Sequence, residues 1–136
     1  MEIFSIVLLV FIGLAIVVAV LVLIKGGSRK LTAQQQRFLN KQWTKIVSES
    51  QHNPVQSILD ADKLLAYLLE AKGYDGTLGE MLKKGGSLFG NLNDVWTAHK
   101  TRNRIAHEIG VSLSSREVKV TLSQFKSAYK DLGAKL

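Results

Sequence analysis

The chain contains no cysteine. That excludes disulfides, cysteine-ligated zinc and a thiol nucleophile, and it fits a reducing compartment. It contains one proline among 136 residues. Alternation of the kind a half-buried strand shows is scarce, and good helix formers dominate after residue 30. No GxxxxGK[ST] order occurs, and the glycine-rich, basic Lys83-Lys84-Gly85-Gly86-Ser87 has no strand before it, so it reads as a loop. His52, His99 and His107 have no metal-ligand spacing and no carboxylate pair beside them. No triad-like serine and no nucleotide-binding fingerprint is visible. No metal and no cofactor is therefore expected.

Charge is also missing where it matters. Ile3 to Ile24 carries none, and Ser5 is its only strongly polar residue. About 20 apolar residues cross a bilayer as a helix. A cleaved signal peptide would want a positive start and a shorter apolar core; here Glu2 is the only charge before the run. The stretch reads as an uncleaved anchor in which residues 3–24 meet lipid. It has no GxxxG, so the span itself gives no ground for a dimer.

The formal charge is +7. Much of the excess follows the apolar run, at Lys25, Arg29, Lys30, Arg37, Lys41 and Lys45, with Glu49 the only acid in that region. This is the positive-inside pattern, joined to attraction for anionic headgroups. A nucleic-acid patch is the competing reading. The expectation is a single-pass protein of the cell membrane, N-terminus out and C-terminal domain in the cytoplasm. Its parts are an anchor over 1–25, a basic flexible tether over 26–31 and a helical domain over 32–136. The fold class is all-α: one transmembrane helix, then a small bundle of four main helices and a short one.

Punctuation along the domain is readable. Thr32 can cap a helix running to about Gln51, with Phe38, Leu39, Trp43, Ile46 and Val47 as its stripe. Asn53-Pro54 opens a helix to Lys72, and Gly73 stops it. Its stripe is Val55, Ile58, Leu59, Asp62, Leu65, Ala66 and Leu69. Asp62 is the anomaly, a carboxylate within an apolar face, and it must have a cation or several donors as partners. Thr77-Leu78-Gly79-Glu80 and Ser114-Ser115-Arg116-Glu117 have capping-box spacing and open two further helices. The last carries Val118, Leu122, Phe125, Tyr129 and Leu132 and stops at Gly133. Trp43, Leu59, Leu65, Trp96, Phe125 and Tyr129 are expected to pack together, so the two tryptophans read as core and not as base-stacking platforms.

Asn91 to Glu108 reads as the helix the rest is arranged around. Leu92, Val95, Trp96, His99, Asn103 and Ala106 fall on one side, with Arg102 and His107 at its edges. His99 and Asn103 thus sit where a helix meets a core. An unpaired buried polar group costs about 1–3 kcal/mol, so they need partners. The plain reading is a network in which Arg102 or His99 meets Asp62, Asn103 completes it and His107 closes the helix end, where a cation is favoured.

Arg102-Asn103-Arg104-Ile105-Ala106-His107, with its RNxxxH spacing on the penultimate helix, also resembles the signature of the HEPN family. The order of elements over residues 31–136 is similar too. The resemblance implies a compact helical bundle and, for many members, metal-independent RNA cleavage. It implies His107 as general acid or base, Arg102 holding the phosphate and Asn103 orienting one of them. Residues five apart on a helix point about 140° apart, so one copy's Arg102 and His107 do not converge and a homodimer would have to complete the site. Two functions follow: a HEPN-like interaction or dimerisation module holding a protein partner at the membrane, or a dimeric endoribonuclease acting on RNA.

Overall fold

Leucine, isoleucine and valine without an internal charge have one stable arrangement away from water, a helix that satisfies its own backbone. In the computed structural model, which describes residues 2–27 and 29–136, that run is helix α1, Glu2–Gly27. Ile3–Leu21 is long and apolar enough to cross a membrane, and none of it is buried inside the protein. The helix passes the expected end at Lys25 by two residues. Ser28, within the expected tether, lies outside the described residues.

The remainder is all helix: α2 (Ala33–Glu49), α3 (Pro54–Ala71), short α4 (Leu78–Lys84), a 3-10 turn at Gly86–Leu88, α5 (Leu92–His107) and α6 (Ser115–Asp131). No strand occurs among the described residues, and the architecture is four main helices and one short one. Side chains set the helix starts. Thr32, Thr77 and Ser114 each form a full capping box, with Gln35, Glu80 and Glu117 reaching back to the cap's own backbone N–H. Asn91 caps α5 by accepting from the Asp94 N–H. Pro54 opens α3 as expected, but the Asn53 side chain makes no capping bond. Gly73 and Gly133 end α3 and α6 at φ values of +97° and +92°, a conformation open to glycine at little expense.

Helix α3 is the axis of the bundle and packs against α2, α4, α5 and α6. It buries Ser57, Ile58, Ala61, Asp62, Leu64, Leu65, Leu68 and Leu69, a face broader than the expected stripe and turned toward Leu64 and Leu68. A helix with neighbours on several sides cannot keep a single narrow seam. Leu59 and Trp96 sit half-buried at the margin of the core, while Trp43, Leu65, Phe125 and Tyr129 lie inside it. Trp43 meets Tyr129 edge-on at 5.4 Å, and Phe125 stacks on Tyr129 at 6.3 Å. On α2 only Leu39, Trp43 and Ile46 are buried; Phe38 and Val47 are exposed.

The described part of the connector is not loose. The Lys72 amine donates to the Arg29 carbonyl at 2.6 Å, and the Arg29 guanidinium lies against Gly73. The chain therefore enters α2 fastened to the C-terminal end of α3. Burial lowers the Lys72 pKa from its usual value.

Candidate functional site

Helix α5 faces both α3 and α6, and this turns it relative to the sequence pattern. Its buried residues are Val95, Ala98, His99 and Ile105, whereas Ala106 is exposed and Leu92, Trp96 and Asn103 are partly buried. The packed stripe is thus 95, 98, 99, 102 and 105, and Arg102 stands on it, not beside it. That rotation aims His99 and Arg102 together at Asp62 in the middle of α3.

The polar groups close into a ring. His99 Nδ1 lies 2.8 Å from Asp62 Oδ1. A carboxylate only accepts, so the imidazole proton sits on Nδ1. The other ring nitrogen, Nε2, is 3.3 Å from Asn103 Nδ2 and accepts from that amide. The Asn103 carbonyl oxygen accepts from Arg102 Nη1 at 3.0 Å. Arg102 Nε returns to Asp62 Oδ2 at 3.3 Å. This last contact is an ion pair without hydrogen-bond alignment: Nε is buried and has no hydrogen-bond partner. The carboxylate side chain is 6% exposed and that of Arg102 30%, so the charge pair runs from the interior to the edge of the bundle.

Tyr129 extends the network. Its hydroxyl donates to the Ala61 carbonyl at 2.6 Å, one residue before Asp62. Burial first, and the nearby Asp62 charge second, push the phenol well above its usual pKa. Nothing in the one-dimensional pattern beyond an aromatic on the α6 stripe announced this bond, which joins positions far apart in the chain.

His107 is elsewhere. It is exposed at the last position of α5 and enters no hydrogen bond or ion pair among the described residues. The grooves on the described surface include three between or beside the helices. One lies by Pro54, Leu113 and Lys119, one between α5 and α6 at Thr97, Thr101 and Gln124, and one between α2 and α3 at Phe38, Ile46, Leu64 and Tyr67. Arg102, Asn103, His107, Asp62 and His99 line none of the three. The structure therefore brings Asp62, His99, Arg102 and Asn103 together and leaves His107 out.

Comparison of the chain with protein-family models, curated proteins and solved structures found no match.

What the ring can do chemically follows from its occupancy. Both imidazole nitrogens and both Asp62 oxygens are engaged inside the bundle. A base must reach the proton it takes, and these groups face each other instead of a cleft. No group of three or more histidine, aspartate or glutamate side chains is placed to hold a metal ion among the described residues.

Proposed function

We propose that this chain is a membrane-anchored, HEPN-like helical module that acts as an interaction or dimerisation domain at the cytoplasmic face. The anchor is α1, N-terminus outward, with the cations after it on the inner side. The observation that carries the reading is the engagement of Arg102. Its guanidinium meets Asp62 and Asn103, while His107 stands exposed away from them. Such a network fixes the register of α5 against α3. It leaves the module's surface, and not its interior, as the part that meets a partner.

One observation favours a second reading. The His107 imidazole is open to solvent and unbonded among the described residues, as a general base supplied to a partner copy would be. The endoribonuclease reading needs Arg102 to be shared between Asp62 and a phosphate. The test is RNA cleavage by the full chain in detergent beside its His107→Ala variant. Equal, background-level cleavage supports the interaction module. Cleavage by the parent chain that His107→Ala abolishes overturns it in favour of the dimeric nuclease.

A further inference from the structure

Three cations form a row along the outside of α2. Arg37, Lys41 and Lys45 recur every four residues, so they share one face, and all three are exposed. No ion pair among the described residues includes any of them. Like charges at this spacing destabilise a helix by about 0.2–0.5 kcal/mol per pair. The row therefore opposes the helix it lies on, and Glu49, the only acid of α2, stands four residues past Lys45 and forms no ion pair with it, so it offsets charge at that end alone.

An apolar strip runs alongside. Phe38 is 43% exposed, and its ring lies 4.9 Å from that of Tyr67 on α3. The groove between α2 and α3 continues over Ile46 and Leu64, with Lys45 and Lys63 at its rim. The acid there, Asp60, already accepts from Gln56 at 2.8 Å and stands 3.9 Å from Lys63. The face is thus cationic on one side and aromatic on the other, with its acid occupied.

Its position limits the partner. Only residues 28–32 separate α1 from α2. At about 3.3–3.6 Å per residue, α2 begins within about 20 Å of the end of α1. Granting that α1 spans the membrane, the premise on which this rests, the start of a cationic and aromatic helix face is held permanently near the headgroups. We propose that α2 lies along the membrane surface, with Arg37, Lys41 and Lys45 on anionic lipid headgroups and Phe38 at the interface. Docking offsets the repulsion along the row and covers the exposed ring. The bundle is then oriented by two contacts, its anchor and its first helix.

The test uses the full chain in lipid nanodiscs. The absence of cysteine lets Gln34→Cys, Thr44→Cys and Ser123→Cys each carry one fluorophore. Gln34 and Thr44 are exposed at the two ends of the α2 face, and Ser123 is exposed on α6. In discs of phosphatidylcholine with about a third phosphatidylglycerol, headgroup-attached quenchers should quench Gln34 and Thr44 and spare Ser123. High salt should remove the effect. Arg37→Glu/Lys41→Glu/Lys45→Glu should shift the docked-to-free ratio by about a hundredfold or more. The neutral glutamine triple, which relieves repulsion along α2, should also lose docking. Quenching at Gln34 alone means an upright α2 and overturns the proposal. So does equal quenching in pure phosphatidylcholine, or protection at Thr44 that appears only when RNA is added. Failure of the chain to enter the disc overturns the spanning reading as well; entry with an unquenched Thr44 overturns the docking alone.

Discussion

Asp62 and His99 meet at 2.8 Å across the contact of α3 with α5, and the second Asp62 oxygen faces Arg102 Nε at 3.3 Å. One carboxylate thus serves a hydrogen-bond donor and a cation from a neighbouring helix. Removing it strands both. Asp62→Ala should destabilise the bundle by about 3 kcal/mol, the range for breaking a buried pair while leaving its partners behind. Arg102→Ala should cost less, about 1 kcal/mol, because that side chain is nearly a third exposed and water screens it. Denaturant unfolding of the full chain in detergent, followed by tryptophan fluorescence, measures both. A double-mutant cycle of Asp62→Ala with His99→Ala should show a coupling of about 1–3 kcal/mol. A change under half a kcal/mol for Asp62→Ala would leave the ring ornamental.

Tyr129 gives a pH signature. Its phenol is held protonated by burial and then by the Asp62 charge, so its folded pKa lies well above the usual 10.0. A group whose folded pKa is raised contributes stability that is complete below the unfolded pKa and is lost as pH rises. Stability should therefore fall above about pH 10, by up to about 1.4 kcal/mol per pH unit. Phenolate absorbance and loss of helical circular dichroism should then contain one coincident step. Tyr129→Phe should remove that step and lower stability by about 1 kcal/mol for the lost bond to Ala61. A phenolate signal from Tyr129 well before unfolding would contradict the burial on which this rests.

Helix ends were readable because they are local. Thr77 with Glu80 and Ser114 with Glu117 carry their partners three residues away, and proline at position 54 announces its own geometry. The need of Asp62 for a partner was readable for a similar reason, as a carboxylate inside an apolar stripe. The rotation of α5 was not. Its apolar residues are too few to choose between faces, and the simultaneous contact with α3 and α6 decides in favour of Ala98 and Ile105 over Ala106. The same rotation placed Arg102 in the core side of the helix and His107 outside it. The fastening of Arg29 to Lys72 and Gly73 was equally invisible, since it joins residues whose distance in sequence exceeds any local pattern.

The capping boxes should be acid-sensitive. Glu117 has its pKa lowered first by the Ser114 backbone N–H, then by the Ser114 hydroxyl and Arg104. Glu80 is lowered in the same way by Thr77 and, more weakly, by Lys84 and Lys83. A depressed carboxylate contributes stability present above its unfolded pKa, near 4.5, and lost as pH falls through the lower folded value. Both glutamates lie at the surface, so the effect should be local fraying, not global unfolding. Amide exchange at Thr77 and Ser114, normalised for its intrinsic pH dependence, should accelerate below about pH 4 relative to mid-α3. Uniform exchange across these sites in acid would show that the carboxylates do not secure the helix starts.

The entry to α2 depends on a glycine. At Gly73 the backbone takes φ +97°, which side chains rarely adopt, and a Cβ there would stand 3.1 Å from Arg29 Nη1. Gly73→Ala should therefore act twice. Backbone strain should cost about 1–2 kcal/mol, and the guanidinium must move. Lys72→Ala removes the amine that holds the Arg29 carbonyl without straining the turn. Both variants should speed amide exchange at Leu31 and Thr32, but only Gly73→Ala should lower the unfolding midpoint by several degrees. If Lys72→Ala leaves exchange at Leu31 and Thr32 unchanged, the connector is not fastened by that amine.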